Sequence, residues 1–184
     1  AVLALRQQLL KSYVCYLLFS SGTPMILGGD EFARSQGGNN NAYCQDNEIN
    51  WFDWSLLERH AEVFDFFQKA IAFTRRFPVL QHRKFFLGAD LDDDKVSDLT
   101  WFAPDLGKPR WDDPNGRTLC FQLDASEDGS DLGVDRLFFV LNAHHEPLRV
   151  ALPRLAAGGS LAPGNRQQPI GGTVLPRRRR GNPR

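Results

Sequence analysis

The 184-residue sequence has few cysteines and no long hydrophobic run. Its three cysteines, Cys15, Cys44 and Cys120, form no CxxC pair and are too few for a disulfide framework, which predicts a reducing, cytoplasmic setting. The apolar run at residues 13–19 is far shorter than the roughly 18 residues of a membrane span, so we expect no membrane association. With 14 Phe and 4 Trp, the chain has the aromatic content of a folded protein rather than a disordered one.

The net charge of zero conceals an uneven distribution. Residues 154–184 contain seven Arg and no acidic residue, whereas residues 1–153 contain 15 basic and 22 acidic residues. The tail also lacks Trp, Phe and Tyr, and its Gly, Pro, Arg and Gln content predicts poor order. The four arginines at 177–180 are only a weak nucleic-acid signal, and we expect no nucleic-acid partner.

The N-terminal segment has the pattern of an α/β unit. Apolar residues at helical spacing predict a mostly buried helix over residues 3–20, which stops at Gly22. They are Leu3, Leu10, Val14, Leu17 and Leu18. The short apolar run Met25–Leu27 then predicts a strand buried on both faces.

A second helix is predicted over residues 55–76. Ser55 and Glu58 have the spacing of a capping box, and Pro78 ends the helical pattern. The apolar positions between them step by three or four and predict the buried face. These positions are Leu57, Ala61, Phe64, Phe67, Ile71 and Thr74.

Beyond Pro78, short β-branched or aromatic runs alternate with Asp-, Pro- and Gly-rich turns. This spacing predicts an antiparallel β-sandwich. The expected strands are residues 96–102, 118–123, 136–142 and 148–152.

The segment between the first predicted strand and the second predicted helix, residues 32–50, has no usable periodicity. A loop of this length in a compact domain is usually functional. Residues 39–47 concentrate amide and carboxylate groups, and Tyr43, Trp51 and Trp54 supply flat apolar faces. Amides beside aromatic rings suit a sugar, whose hydroxyls need paired donors and acceptors and whose CH face packs on a ring. The alternative is an Asn-rich loop that caps its own backbone through Asx turns, and composition alone favours it.

Neither the acidic residues nor the histidines point to catalysis or metal binding. Asp30 and Glu31 follow the predicted strand, but adjacent residues point to opposite faces, so at most one could face a cleft and a structural role is favoured. His144 and His145 cannot both face one metal from a strand. The aspartates of residues 90–98 lack the Gly and Glu of a helix-loop-helix calcium site and predict a solvated acidic turn. We expect no metal, no cofactor and no catalytic residue among these groups.

Several segments resemble bacterial glycogen debranching enzymes, the isoamylase-type members of the α-amylase superfamily of glycoside hydrolases. Residues 22–31 (Gly-Thr-Pro-Met-Ile-Leu-Gly-Gly-Asp-Glu) resemble the last strand of that family's catalytic barrel. Residues 38–47 (Gly-Asn-Asn-Asn-Ala-Tyr-Cys-Gln-Asp-Asn) are more specific to the debranching branch, and residues 51–54 (Trp-Phe-Asp-Trp) extend the match. Further segments resemble the family's C-terminal β-sandwich domain. They are residues 101–105, 111–114 and 141–147.

The resemblance implies an α/β plus all-β fold, the C-terminal end of a (β/α)₈ TIM barrel followed by an antiparallel β-sandwich. Residues 1–78 would form the last helix, strand and helix of the barrel, and residues 79–153 the sandwich domain. Residues 154–184 would be a basic, poorly ordered tail that departs from the family pattern.

The implied activity is hydrolysis of α-1,6-glucosidic branch linkages in α-glucans such as glycogen, amylopectin and limit dextrin, by the retaining mechanism. In this family the nucleophilic Asp, the acid/base Glu and a third Asp come from earlier barrel strands, so no catalytic residue is assigned here and the chain by itself is expected to be inactive. The resemblance also implies that the loop after the last strand lines sugar subsites. The expected substrate contacts are Asn40, Asn41, Tyr43 and Asp46.

One alternative belongs to a different class of protein. The sandwich region could act alone as a non-catalytic glucan-binding or interaction module. Retardation in glycogen-containing gels separates the two, because a true binding module binds glycogen and an isolated structural sandwich does not.

Overall fold

The computed structural model describes residues 2–82, 84–91, 95–126, 134–154 and 175–178. The chain divides into two compact units, Ala1–Thr74 and Arg75–Arg184. The first contains the helices and the long loop, and the second contains an antiparallel sheet. No helix among the described residues is long and apolar enough to cross a membrane.

Helix α1 spans Val2–Phe19, which confirms the first predicted helix. The prediction that it is mostly buried is wrong. Val14 and Leu18 are buried, but Leu3 is 72% exposed and Leu17 is 39% exposed. The helix carries apolar side chains around its whole circumference, so periodicity cannot tell which face is covered.

The buried strand predicted at Met25–Leu27 is also wrong. These residues form no strand, and Met25 and Leu27 are 85% and 59% exposed. A strand requires a hydrogen-bonding neighbour, and no described residue pairs with this run. The chain continues instead into a short 3₁₀ turn, Asp30–Phe32.

The helix predicted over residues 55–76 is interrupted at His60. Helix α2 covers only Leu56–Arg59, and helix α3 covers Ala61–Arg76. The predicted capping box is wrong, because the Ser55 hydroxyl makes no bond to the helix backbone and donates to Asp53 Oδ1 at 2.6 Å. The Ser55 backbone N–H donates to the same oxygen at 3.0 Å, so an Asx turn at Asp53 precedes α2.

A small apolar core joins α1 to α3. Its buried members are Val14, Leu18, Val63, Phe66, Phe67 and Ala70. The predicted stripe on α3 includes Phe67 but misses Val63 and Phe66. Two apolar stripes run side by side along α3, and the stripe that contacts α1 is the one that is buried. Full burial of a Val or Phe stabilises by about 1.5–3 kcal/mol, so this face provides most of the packing between the two helices.

The second unit holds one four-stranded antiparallel sheet in the order β1-β2-β3-β4. Its strands are β1 Leu99–Phe102, β2 Thr118–Asp124, β3 Val134–Asn142 and β4 Leu175–Arg178. The first three confirm predicted strands, although β1 begins three residues later than the pattern indicates.

Both faces of the central strand β3 are covered. Phe138 and Phe139 are adjacent in the strand and therefore point to opposite faces, yet they are only 4% and 1% exposed. Leu137 is fully buried as well. The described ranges contain a single sheet, so the second layer of the expected sandwich stays a prediction.

The strand predicted at residues 148–152 is wrong. Leu148 and Leu152 are 47% and 42% exposed, and the backbone contact of this segment is a hydrogen bond from Ala151 N to Pro104 O at 2.8 Å. An alternating pattern becomes a strand only where a neighbouring strand can pair with it, and no described strand does so here.

The predicted poor order of residues 154–184 falls mostly on residues outside the described ranges. The prediction of poor order stays a prediction. Within the tail, Leu175–Arg178 form β4 and pair with β3. Leu175 lies opposite Phe138, and Arg178 lies opposite Val134. Backbone pairing depends little on side-chain composition, so the edge of β3 can accept a segment that lacks aromatic residues.

Candidate functional site

The long loop of the first unit is organised by Asx turns, in which a side-chain oxygen accepts a hydrogen bond from the backbone N–H two residues later. Asn39 Oδ1 accepts from Asn41 N at 2.9 Å, and Asn41 Oδ1 accepts from Tyr43 N at 3.2 Å. Asn47 Oδ1 accepts from Ile49 N at 3.0 Å. The loop therefore caps its own backbone, as the alternative interpretation predicts. Self-capping also fixes the positions from which the remaining polar atoms project.

Two glutamines brace the turns from the side. Asn39 Nδ2 donates to Gln45 Oε1 at 3.1 Å, and Gln36 Nε2 donates to the Asn39 carbonyl at 2.8 Å. Ala42 is buried, and its carbonyl accepts from Gln45 N at 3.1 Å. Tyr43 follows the buried Ala42 and is itself 82% exposed.

The four predicted substrate contacts all lie exposed in this loop, but the structure links only some of them. Asn41 and Tyr43 are joined by the hydrogen bond of the second Asx turn. Asp46 is joined instead to Trp51, whose indole Nε1 donates to Asp46 Oδ1 at 2.7 Å. Asn40 is exposed and makes no hydrogen bond to any described residue.

An aromatic cluster lies next to the loop in the sequence. Phe32 is 1% exposed, and its ring centroid lies 6.0 Å from that of Phe52 and 5.7 Å from that of Trp54. Phe52 and Trp54 meet edge to face at 5.5 Å. Trp54 is nevertheless 62% exposed, so the buried ring of Phe32 supports an accessible indole.

Arg34 connects this cluster to the end of the loop, a role that sequence reasoning missed. Its guanidinium lies 5.1 Å from the Phe52 ring centroid and donates to Asn50 O at 2.7 Å and to Asn50 Oδ1 at 2.8 Å. Gly29 makes this position possible. It has a φ of +99°, and a Cβ there would lie 2.6 Å from Arg34 Cδ. The paired glycines before Asp30 are the signal in the sequence that could have indicated the close approach.

Glu31 has a local role in the same turn. Its Oε2 accepts a hydrogen bond from Gly29 N at 2.8 Å, at the start of the 3₁₀ turn Asp30–Phe32. The partner of the Glu31 carboxylate in this bond is therefore a backbone amide of the same turn.

The acidic cluster predicted to be a solvated turn includes Asp98, and for this residue the prediction is wrong. The side chain is half-buried, and its carboxylate accepts backbone hydrogen bonds from Leu87 at 2.7 Å, Gly88 at 2.8 Å and Ala89 at 3.2 Å. Asp98 therefore ties the preceding loop to the start of β1. Residues 92–94 lie outside the described ranges.

Two of the three thiols are affected by burial, and two of the four histidines stack on each other. Burial raises the pKa of Cys15 to about 11, and burial also raises the pKa of Cys120. Cys44 is exposed in the loop, and the rings of His144 and His145 stack at 4.4 Å. Within the described ranges, no group of three or more His, Cys, Asp or Glu is placed to hold a metal ion.

Comparison with known proteins identifies relatives over part of the chain. No family model matches it. The glycogen operon protein GlgX homolog of Mycobacterium tuberculosis is 42% identical over 104 residues, which are 56% of this chain and 14% of that protein. An isoamylase from a Flavobacterium species is 31% identical over 131 residues, which are 70% of this chain and 17% of the enzyme. The chloroplastic isoamylase 3 of Oryza sativa is 31% identical over 153 residues, 83% of this chain and 17% of that protein.

Solved structures with a similar fold are pullulanases. The pullulanase of Paenibacillus barengoltzii, in complex with maltohexaose and α-cyclodextrin, superposes with a TM-score of 0.70 at 21% identity over 95% of this chain and 26% of that chain. The pullulanase of Bacillus acidopullulyticus gives a TM-score of 0.65 at 18% identity over 94% of this chain and 21% of that chain.

The chain spans 14% to 17% of the length of these curated relatives. The relatives carry the names of the family that the sequence motifs resemble, so the resemblance is confirmed. The chain is homologous to a segment of the glycogen debranching enzymes and isoamylases.

Proposed function

We propose that this chain is part of an α-1,6-glucan debranching hydrolase that acts in the cytoplasm on glycogen, amylopectin or limit dextrin. The observation that carries the proposal is the 42% identity over 104 residues to a protein of the glycogen operon. The reaction would follow the retaining route, which needs a nucleophilic carboxylate and an acid/base carboxylic acid about 5–5.5 Å apart. Both would come from parts of the enzyme that this sequence does not include.

In this proposal the first unit is the end of a (β/α)₈ barrel, in which Met25–Leu27 would become a strand only where neighbouring barrel strands pair with it, and the second unit belongs to a β-sandwich domain. The fold similarity to pullulanases over 95% of the chain supports the assignment. The exposure of Met25–Leu27 supports it as well, because an apolar run that would be a barrel strand needs neighbouring strands to cover it.

The long loop would form one wall of the glucan cleft, since the active sites of such barrels are built from the loops that follow the strands. Tyr43 would supply an exposed ring for the CH face of a sugar, and its backbone is fixed by the Asx turn from Asn41. The amide of Asn40 would be available to sugar hydroxyls. Asp46 would act in two ways, holding the Trp51 indole through Oδ1 and offering Oδ2 to a hydroxyl.

We expect Tyr43→Ala to weaken glycogen binding by about fivefold, because it removes a stacking surface of roughly the energy of an aromatic pair. The measurement is affinity electrophoresis of the full chain, at low protein concentration, in native gels of increasing glycogen content. Tyr13→Ala is the matched control, since Tyr13 is also an exposed tyrosine of the first unit, at 62% exposure, but lies on α1.

Equal loss of retardation in the Tyr43 and Tyr13 variants would contradict the assignment of the loop. Asp46→Asn provides a second comparison. It keeps the oxygen that accepts from Trp51 and replaces the other carboxylate oxygen with an amide NH₂ group, which can still donate to a sugar hydroxyl, so it should weaken binding less than Asp46→Ala.

A further inference from the structure

A row of aromatic side chains crosses one face of the sheet and ends at an exposed edge. Trp101 of β1 lies directly opposite Phe121 of β2, which lies directly opposite Phe139 of β3, so the three share a face. The ring centroids are 5.3 Å apart for Trp101 and Phe121 and 4.6 Å apart for Phe121 and Phe139. Exposure rises along the row from 1% at Phe139 to 9% at Phe121 and 40% at Trp101.

A second indole continues the row beyond the edge strand. The ring centroid of Trp111 lies 5.6 Å from that of Trp101, with the two planes inclined at 83°, and Trp111 is 68% exposed. The buried part of the row fixes Trp101, and Trp101 in turn packs against Trp111. Two accessible and nearly perpendicular indoles form a corner that can contact a pyranose ring on two sides.

The segment that carries Trp111 is held by tight turns. Asp113 N donates to Arg110 O at 3.2 Å, and Gly116 N donates to Asp113 O at 3.0 Å. The Arg110 guanidinium also donates to Asp113 Oδ2 at 2.9 Å across the turn. Trp111 is therefore presented on ordered backbone, which lowers the entropy lost when a ligand binds.

The charged residues of the segment that carries Trp111 are balanced in sign, which favours a neutral, polyhydroxylated ligand. Arg110 is paired with Asp113, and exposed Lys108 and Arg117 are balanced by exposed Asp105 and Asp112. A surface for nucleic acid or anionic lipid would need an excess of basic residues, which this segment lacks. The exposed carboxylates and the ammonium group of this segment are acceptors and donors of the kind that sugar hydroxyls require.

We propose that Trp101 and Trp111 form a second glucan-binding surface on the second unit, separate in the sequence from the long loop. Its ligand is a linear α-glucan chain, and this choice of ligand rests on the proposed function. Trp111 supplies the exposed ring, and Trp101 braces it and forms the other side of the corner.

The test follows the indole N–H signals of the four tryptophans in ¹⁵N-labelled full chain during titration with maltohexaose, with assignment by single Trp→Phe variants. We expect the signals of Trp101 and Trp111 to shift with a common saturation curve. In glycogen gels, Trp111→Ala should weaken binding by about five- to tenfold, and Trp111→Phe should weaken it less because it keeps a ring. Phe85→Ala is the matched control, since Phe85 is 86% exposed in the same unit.

The tryptophans next to the long loop and those of the second unit give separate N–H signals. Failure of one proposed binding site can therefore be distinguished from failure of the other. If only the Trp51 and Trp54 signals move, the second surface is overturned and the loop site stands. If only the Trp101 and Trp111 signals move, the second surface stands and the loop site fails. Equal weakening by Trp111→Ala and Phe85→Ala would also overturn the second surface.

Discussion

At the scale of single residues, the Asp53 carboxylate orders the backbone at the start of α2, a role that the sequence pattern assigns to Ser55 and Glu58. Asp53 Oδ1 accepts from both the hydroxyl and the backbone N–H of Ser55. These two bonds, the hydroxyl first, lower the pKa of Asp53 below its ordinary value of 3.8. A group whose pKa is lowered by folding stabilises the folded state above its unfolded pKa and loses that effect as the pH falls through the folded pKa.

We therefore expect Asp53→Ala to lower the midpoint of thermal unfolding at pH 7 by about 2–4 °C, and to have progressively less effect below about pH 4. The measurement is thermal unfolding followed by circular dichroism between pH 2 and pH 7. Asp53→Asn is the control, because it keeps an acceptor oxygen without a titrating charge. The same destabilisation by Asp53→Ala at pH 2 and at pH 7 would argue against this role.

At the scale of elements, the connection into β1 depends on one side chain. Asp98 accepts backbone hydrogen bonds from Leu87, Gly88 and Ala89, and its own backbone N–H donates to Ala89 O at 2.9 Å. Its carbonyl accepts from Asp124 N at 3.1 Å, so the same residue also joins the loop to the end of β2. A local periodic pattern contains no information about such a tether.

We expect Asp98→Ala to destabilise the second unit by about 1–2 kcal/mol, since hydrogen bonds to a charged group contribute roughly 1.5–3 kcal/mol and partial exposure reduces the cost. Amide hydrogen exchange should accelerate at Leu87, Gly88 and Ala89. Asp112→Ala is the control, because Asp112 is exposed and makes no hydrogen bond to a described residue. Unchanged exchange at the three amides would contradict the tether.

At the scale of the whole molecule, the chain spans about one sixth of the curated relatives it matches. Part of its apolar surface is uncovered, including Met25 at 85% and Leu3 at 72% exposure. Both observations fit the proposal that the catalytic carboxylates lie in other parts of a longer enzyme.

The chain by itself should therefore release no reducing ends from amylopectin, whereas glucan binding at the two proposed sites can be measured without catalysis. The assay is reducing-sugar release over several hours, with a complete isoamylase as the positive control. Measurable debranching by the 184 residues alone would show that the nucleophile and the acid/base residue are within this chain.

The sequence by itself determined part of the regular structure. Helical spacing predicted α1 and most of α3, and β-branched and aromatic runs predicted β2 and β3, because these periodicities arise from local backbone geometry. The motif at residues 38–47 also identified the family, and relatives confirmed it. The composition of the same loop indicated Asx turns, which depend only on a side chain and the backbone two residues later.

Only the tertiary structure decided which faces are covered and which segments pair. The exposure of Leu3 and Leu17, the absence of a strand at Met25–Leu27 and the pairing of β4 all depend on neighbours distant in the sequence. The same holds for the Arg34 contact with Phe52 and for the indole pair of Trp101 and Trp111. Burial and strand pairing are properties of two surfaces at once, so a pattern along one segment cannot specify them.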